Sequence, residues 1–166
     1  HLIGAYNVKN ALVAIAIGCH FEVPAEAICE ALNGYMPSNN RSQLTETKDN
    51  HLIVDAYNAN PTSMMAALEN FRLMEVSHKV AILGDMKELG EGSVDEHRKI
   101  VSFLEGCGFE RIILVGDEFG KANSGFEWYK NTDDLKAKIS EEKISGKFVL
   151  IKGSNSMKLA PLKEIL

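Results

Sequence analysis

Long apolar runs are missing from this sequence. No stretch approaches the roughly 18–20 residues that a membrane-crossing helix needs, so a helical span is excluded. Positive charge is also scarce: 18 Lys and Arg stand against 23 Asp and Glu, a formal net charge of −5. The basic residues are scattered, which argues against nucleic acid or an anionic membrane as the natural partner. Cysteine is limited to Cys19, Cys29 and Cys107, an odd number without metal-type spacing. They read as reduced thiols on buried side chains rather than a disulfide framework. The histidines, His1, His20, His51, His78 and His97, form no i, i+4 pair, so no metal site is expected. Neither a Gly-x-x-x-x-Gly-Lys-[ST] phosphate loop nor a Gly-x-Gly-x-x-Gly fingerprint occurs.

What is present has the balance of a soluble globular protein, 45% hydrophobic and 25% charged in 166 residues. That length suits one domain, or one domain with a piece of another. The chain opens at His1 without Met or signal peptide and falls at once into a helical pattern, as expected of a fragment. "NVKNALVAIAIG" predicts a small-residue helix over 8–18, with Asn7 as cap and Gly18 as stop. A second helix follows over about 24–32. "GYMPSNNRSQ" is poor in apolar residues and reads as a linker between a helical remnant at 1–40 and a domain at 41–166.

Beyond the linker the rhythm changes. "SQLTETKDNHLIVDAY" predicts two strands around a Lys48-Asp49-Asn50 turn, and "NPTSMMAALENFRLM" a helix capped by Asn60 with Pro61 at its first position. "KVAILGD", "RIILVGD" and "KFVLIKGS" are short apolar runs of buried-strand character. Ser93-Val94-Asp95-Glu96 reads as a capping box, a helix is expected over about 132–142, and a last one over "SMKLAPLKEIL", interrupted or restarted at Pro161. Strands alternating with helices predict an α/β, Rossmann-like fold: a mostly parallel sheet with helices on both faces.

In such a sheet, ligands bind at the carboxyl ends of the strands. Four polar stretches are expected there: Asp55 to Pro61, Gly84-Asp85-Met86, Gly116-Asp117-Glu118 and Lys152-Gly153-Ser154. Gly116-Asp117 reads as an ordinary turn. The Asp55–Pro61 stretch is longer than a βα turn needs, and it carries an acid, a Tyr and two Asn. Asp55 can accept from ligand hydroxyls, and Asn58 and Asn60 can both donate and accept. Lys152 is either an anion-holding charge or a solvated side chain. His97 reads as an exposed helix residue. Met64, Met65, Met74 and Met86 read as core or helix-face residues. Ser154 lacks the setting of a nucleophile.

"DAYNANPTSMMAAL", "ILGDMKELGEGSVDEH" and "LIKGSNSM" resemble the carboxy-terminal domain of the Mur ligases, and "GAYNVKNALVAIAIG" resembles the end of that family's central ATPase domain. The Asp-Ala-Tyr-Asn-Ala-Asn-Pro string is most similar to the D-alanyl-D-alanine-adding branch. The resemblance implies a cytoplasmic ligase of peptidoglycan synthesis. With ATP and Mg2+ it would phosphorylate the terminal carboxylate of UDP-N-acetylmuramoyl-tripeptide, and the amine of D-alanyl-D-alanine would attack the acyl phosphate. The resemblance also implies nucleotide contacts from Asn7, Asn10, Arg41 and Asp55, with closure about the linker near Arg41. Tyr57, Asn58, Asn60, Asp85, Lys152 and Ser154 would serve the substrate side. Tyr6 and Asn155 depart from the family pattern, where His and Arg are common. The family's phosphate loop and magnesium ligands are not in this chain. It is therefore expected to hold no catalytic residue and no metal, to bind neither ATP nor Mg2+ alone, and to self-associate through residues 1–40. Folylpolyglutamate synthase is a related alternative, and a stand-alone α/β module that binds a small ligand is another.

Overall fold

The computed structural model describes residues 6–35, 43–123 and 125–166. Arg41 and most of the expected linker lie outside them. The chain begins with two helices, α1 (Tyr6–His20) and α2 (Ala25–Gly34). Gly18 does not stop α1. It lies inside the helix, where a Cβ would meet the Ile28 side chain at 2.8 Å, so α1 and α2 approach closely there. Asn7 is likewise within the helix and accepts a 3.1 Å hydrogen bond from Asn10. No residue of α2 is buried, and Val8, Leu12 and Ile15 form an exposed i, i+4, i+7 stripe along α1.

A hairpin follows: β1 (Gln43–Glu46) runs antiparallel to β2 (His51–Asp55), closed by the Thr47 N–H on the Asn50 carbonyl at 2.9 Å. Then come α3 (Pro61–Leu73), β3 (Lys79–Gly84), α4 (Ser93–Glu105), β4 (Arg111–Val115), α5 (Asp117–Ala122), β5 (Glu127–Tyr129), α6 (Thr132–Glu141) and β6 (Phe148–Lys152). The six strands lie in the order β1-β2-β6-β3-β4-β5, parallel except for β1. The expected α/β sheet is therefore present. The last strand in the chain sits between the second and the third.

Alternation along each strand feeds two cores. On one face Ile53, Leu83, Leu114 and Leu150 pack with Met64, Leu68 and Phe71 of α3, Ile100 and Leu104 of α4, and Phe119 of α5. On the other, Val54, Ile82, Ile113 and Ile151 pack with Leu135 and Ile139 of α6 and with Leu159, Leu162 and Leu166. The chain leaving β2 and β3 thus turns to one face, and the chain leaving β6 between them turns to the other.

Several expectations are corrected. The last segment is two short 3-10 turns, Asn155–Met157 and Ala160–Glu164, because Pro161 cannot donate and Lys158 takes a left-handed φ of 53°. Ser93 is no cap: a 3-10 turn over Gly90–Gly92 runs straight into α4, and no side chain caps that helix start. Gly116-Asp117 is no simple turn either, since it starts α5. None of the cysteines is buried; Cys19 and Cys29 are exposed. Met64 and Met86 are core residues, as expected, and Met65 and Met74 pack against that core.

The edge strand β5 is tied to β4 by charge. Arg111 grips Glu127 with two bonds, Nε to Oε2 at 2.7 Å and Nη2 to Oε1 at 2.8 Å, and the Tyr129 hydroxyl donates to the same carboxylate at 2.6 Å. Arg111 holds the Glu127 carboxyl below its ordinary range, while burial, then the bond to Glu127, push the Tyr129 phenol up to about 12. A carboxyl depressed in the folded state stabilises above its unfolded pKa and loses that contribution as pH falls through its folded one. Urea unfolding of Glu127→Gln should therefore cost about 1 kcal/mol at pH 7, and the difference from wild type should shrink as pH falls below the ordinary carboxylate range and through the lowered pKa of Glu127. The apolar stripe on α1 predicts that the 166-residue chain self-associates, read by sedimentation equilibrium. Val8→Asp with Leu12→Asp should return it to a monomer.

Candidate substrate-binding site

The carboxyl ends of β2, β6 and β3 bring the polar stretches together. Asp55 and Lys152 are register partners on adjacent strands, and the Lys152 ammonium lies 2.5 Å from Asp55 Oδ2. Lys152 is 1% exposed, so it is not a solvated strand-end lysine. Its charge is neutralised by Asp55, and separating the two would leave a buried charge unpaired.

Beyond Asp55 the loop to α3 exposes Tyr57, Asn58 and Asn60 and buries Ala56 and Ala59. The two asparagines are locked locally. Asn58 Oδ1 accepts from the Ala59 N–H at 2.8 Å. Asn60 Oδ1 accepts from the Ser63 N–H at 2.8 Å, and Ser63 Oγ accepts from the Asn60 N–H at 3.1 Å. That reciprocal pair caps α3 with Pro61 at its first position, as expected. With each carbonyl oxygen engaged, the NH2 of each exposed amide is the group left to donate.

Across β6, the loop after β3 is organised by Asp85, whose carboxylate is wholly buried. Oδ1 accepts from the Phe119 N–H at 2.9 Å, and Oδ2 from the Glu118 N–H at 3.1 Å and the Lys87 ammonium at 3.0 Å. Asp85 thus caps α5 from a neighbouring strand. Its side chain has no surface for a substrate, so it acts through what it holds. Its main chain is equally committed: the Asp85 N–H donates to Val115, and the Asp85 carbonyl accepts from the Ser154 N–H at 3.1 Å. Ser154 Oγ accepts from the Lys87 N–H at 2.9 Å. The tips of β3 and β6 are locked together, with Gly153 so close that a Cβ would sit 2.9 Å from Gly84 Cα.

His97 corrects another expectation. It is fully buried at the base of this loop. The Met86 N–H donates to Nε2 at 3.0 Å, and Nδ1 lies 2.7 Å from the Ser93 carbonyl. An N–H can only donate and a carbonyl can only accept, so the ring is the neutral tautomer protonated at Nδ1. Phe119 meets it edge-on at 4.6 Å. The helical period, with Ile100, Val101 and Leu104 buried on the same face, is the sequence signal that could have found it.

Not every candidate belongs to this cluster. Asn7 and Asn10 lie on α1, bonded to one another. Among the described residues no three His, Cys, Asp or Glu side chains come together as a metal-binding group. A cavity of about 290 Å³ opens at the opposite, amino end of the sheet, lined by Thr47, His51, His78 and Phe148 among others.

A mostly parallel sheet whose middle strand exits to the opposite face, with an Asx-rich loop and an ion pair at that point, is an open α/β domain with polar groups gathered at its topological switch point. The family model for the Mur ligase, glutamate ligase domain, matches residues 40–155, and the chain belongs to the Mur ligase family. The UDP-N-acetylmuramoyl-tripeptide–D-alanyl-D-alanine ligase of Treponema pallidum is 32% identical over 172 residues, covering 98% of this chain and 37% of that protein. A structure of UDP-N-acetylmuramoylalanyl-D-glutamyl-2,6-diaminopimelate–D-alanyl-D-alanyl ligase from Acinetobacter baumannii superposes with a TM-score of 0.82 at 28% identity. It covers 97% of this chain and 36% of that one. Folylpolyglutamate synthase from Thermotoga maritima shares the fold, with a TM-score of 0.68 at 20% identity over 98% of this chain and 39% of its own. This chain spans little more than a third of the length of these relatives.

Gly116 is the backbone position this site demands. Its φ is 119°, and a Cβ there would lie 2.3 Å from the Asp85 carboxylate carbon. Gly116→Ala should therefore destabilise by about 3 kcal/mol or more in urea unfolding. Gly106→Ala, with nothing nearer than 3.8 Å and no positive φ, should shift stability by no more than about 0.5 kcal/mol.

Proposed function

We propose that this chain is the part of a D-alanyl-D-alanine-adding Mur ligase that receives the incoming dipeptide and borders the nucleotide. The observation that carries the reading is the pairing of Asp55, which opens the Asp55–Pro61 loop, with Lys152 two residues before Ser154, at the point where adjacent strands send the chain to opposite faces. In this reading ATP supplies activation of the acceptor carboxylate, the terminal one of UDP-N-acetylmuramoyl-tripeptide. These substrates assign the work to the cytoplasm.

The residues of this chain do the positioning. The exposed amides of Asn58 and Asn60 donate to oxygens of the dipeptide, with the Tyr57 hydroxyl at their rim. The Ser154 hydroxyl, held against the Lys87 N–H, faces the same substrate, and Asp85 fixes both from below. Asp55, held by Lys152, turns its remaining acceptor capacity to the ribose hydroxyls. Asn7, Asn10 and Arg41 border the nucleotide from the other side once the linker closes. Holding an amine at bonding distance from an activated carboxylate converts a bimolecular encounter into an intramolecular one, the term such a domain contributes most.

The test is ATP-dependent phosphate release by the full-length protein with UDP-N-acetylmuramoyl-tripeptide as acceptor. Release should require D-alanyl-D-alanine and be absent with single amino acids or glutamate. Asn58→Ala should raise the KM for the dipeptide about 10-fold, the effect of removing one useful donor. Release driven by glutamate on a folate acceptor would overturn the reading in favour of a folylpolyglutamate synthase.

A further inference from the structure

We infer that His97, as a neutral imidazole, is a positioning residue for the incoming dipeptide, acting through the Asp85–Lys87 segment and Ser154; this rests on the function proposed above. His97 is 0% exposed, so no substrate reaches it. What it holds is backbone: Nε2 accepts the Met86 N–H at 3.0 Å. The residues on either side of Met86 both bond Ser154. The Asp85 carbonyl accepts the Ser154 N–H at 3.1 Å, and the Lys87 N–H donates to Ser154 Oγ at 2.9 Å. Three consecutive residues thus connect a buried ring on α4 to the hydroxyl that follows β6.

The middle bond of the three depends on a proton. The Nδ1–H is committed to the Ser93 carbonyl at 2.7 Å, which leaves Nε2 bare to accept. A second proton on the ring would set a donor against the Met86 N–H. The carboxylate within reach of that new donor is Asp85, whose Oδ1 lies 3.9 Å from Nε2 and already accepts the Phe119 N–H. The charged groups around the ring are Asp85 with its partner Lys87 in the loop, and Glu118 on α5, near enough for its charge to interact with the ring. On α4 itself Glu96 is taken by Lys99. The protonated ring is therefore drawn from Met86 toward Asp85, and the segment that fixes Ser154 loses its central support.

The experiment uses the full-length protein and the phosphate-release assay. A Gln side chain brings an acceptor oxygen to the place of Nε2 and does not titrate; an Asn side chain reaches only as far as Nδ1. Both remove the ring that Phe119 meets edge-on, so a merely structural role would make the two variants fall together. His97→Asn should raise the KM for D-alanyl-D-alanine about 10-fold and leave kcat and the KM for ATP within about 2-fold, whereas His97→Gln should recover most of the loss. The ratio of the wild-type KM to that of His97→Gln should rise as pH is lowered from about 8 to about 6, and titration of the dipeptide's own amine cancels in that ratio. Nitrogen NMR of the wild-type imidazoles at neutral pH, which needs no variant to fold, should show His97 protonated at Nδ1 and bare at Nε2. An equal dipeptide KM in the two variants, a loss shared with the KM for ATP, a flat ratio, or a proton on Nε2 overturns the assignment while the proposed function stands. Wild type that shows no dependence on D-alanyl-D-alanine removes both.

Discussion

A carboxylate sealed from water must be compensated on every side, and the architecture around the candidate site follows from how Asp85 meets that demand. Two of its bonds come from the amides that open α5, which fixes where that helix begins. The third comes from Lys87. The chain can only bring α5 so near because Gly116 has no side chain to intrude. The main chain of Asp85 is bonded to β4 on one side and to Ser154 on the other, so three strand ends share one anchor. His97 closes the base by taking the N–H of Met86, which would otherwise be buried without a partner.

A rigid anchor of this kind suits the proposed role of holding a substrate. Side chains that meet a ligand need rotamers already settled before it arrives. Here the asparagines are settled by their own loop, Ser154 by the neighbouring backbone, and the Asp55–Lys152 pair by strand register. The insertion of β6 between β2 and β3 opens the crevice, since its neighbours send their connections to the opposite face. The buried ion pair lies across that same junction, so the site and the topology have one origin.

Much of this was legible in the sequence, for definable reasons. β3, β4 and β6 are apolar runs ending in Gly and a polar residue, and α3 carries Asn60, Ser63 and Pro61 at the positions where a helix start requires them. The Asx-rich loop stood out because it exceeds what a turn needs. What stayed hidden depends on partners distant in the chain. Asp117 to Ala122 is too short to show a helical period, and its cap lies more than thirty residues upstream in Asp85. β5 is three residues long and held by Arg111. Asp85 itself looked like a ligand-facing acid because a strand end is where such acids stand; only the fold reveals that α5 occupies it. The exposure of Cys19 and Cys29 was equally unreadable, since a small apolar-rich helix looks the same whatever lies beside it.

The place of β6 has a consequence for how the molecule is made. β2 and β3 share no backbone ladder; each pairs with β6, the last of these six strands to leave the ribosome. The hairpin of β1 and β2 and the βαβ units from β3 to β5 can form during synthesis, but they remain two sheets with a slot between them. The final strand fills that slot and bonds along both edges at once, so completion depends on contacts between residues far apart in the chain. Until Phe148–Lys152 emerges, Asp55 has no ammonium to meet and two strand edges stand open. The nascent chain is then most exposed to mispairing, and the arrival of one five-residue segment ends that interval.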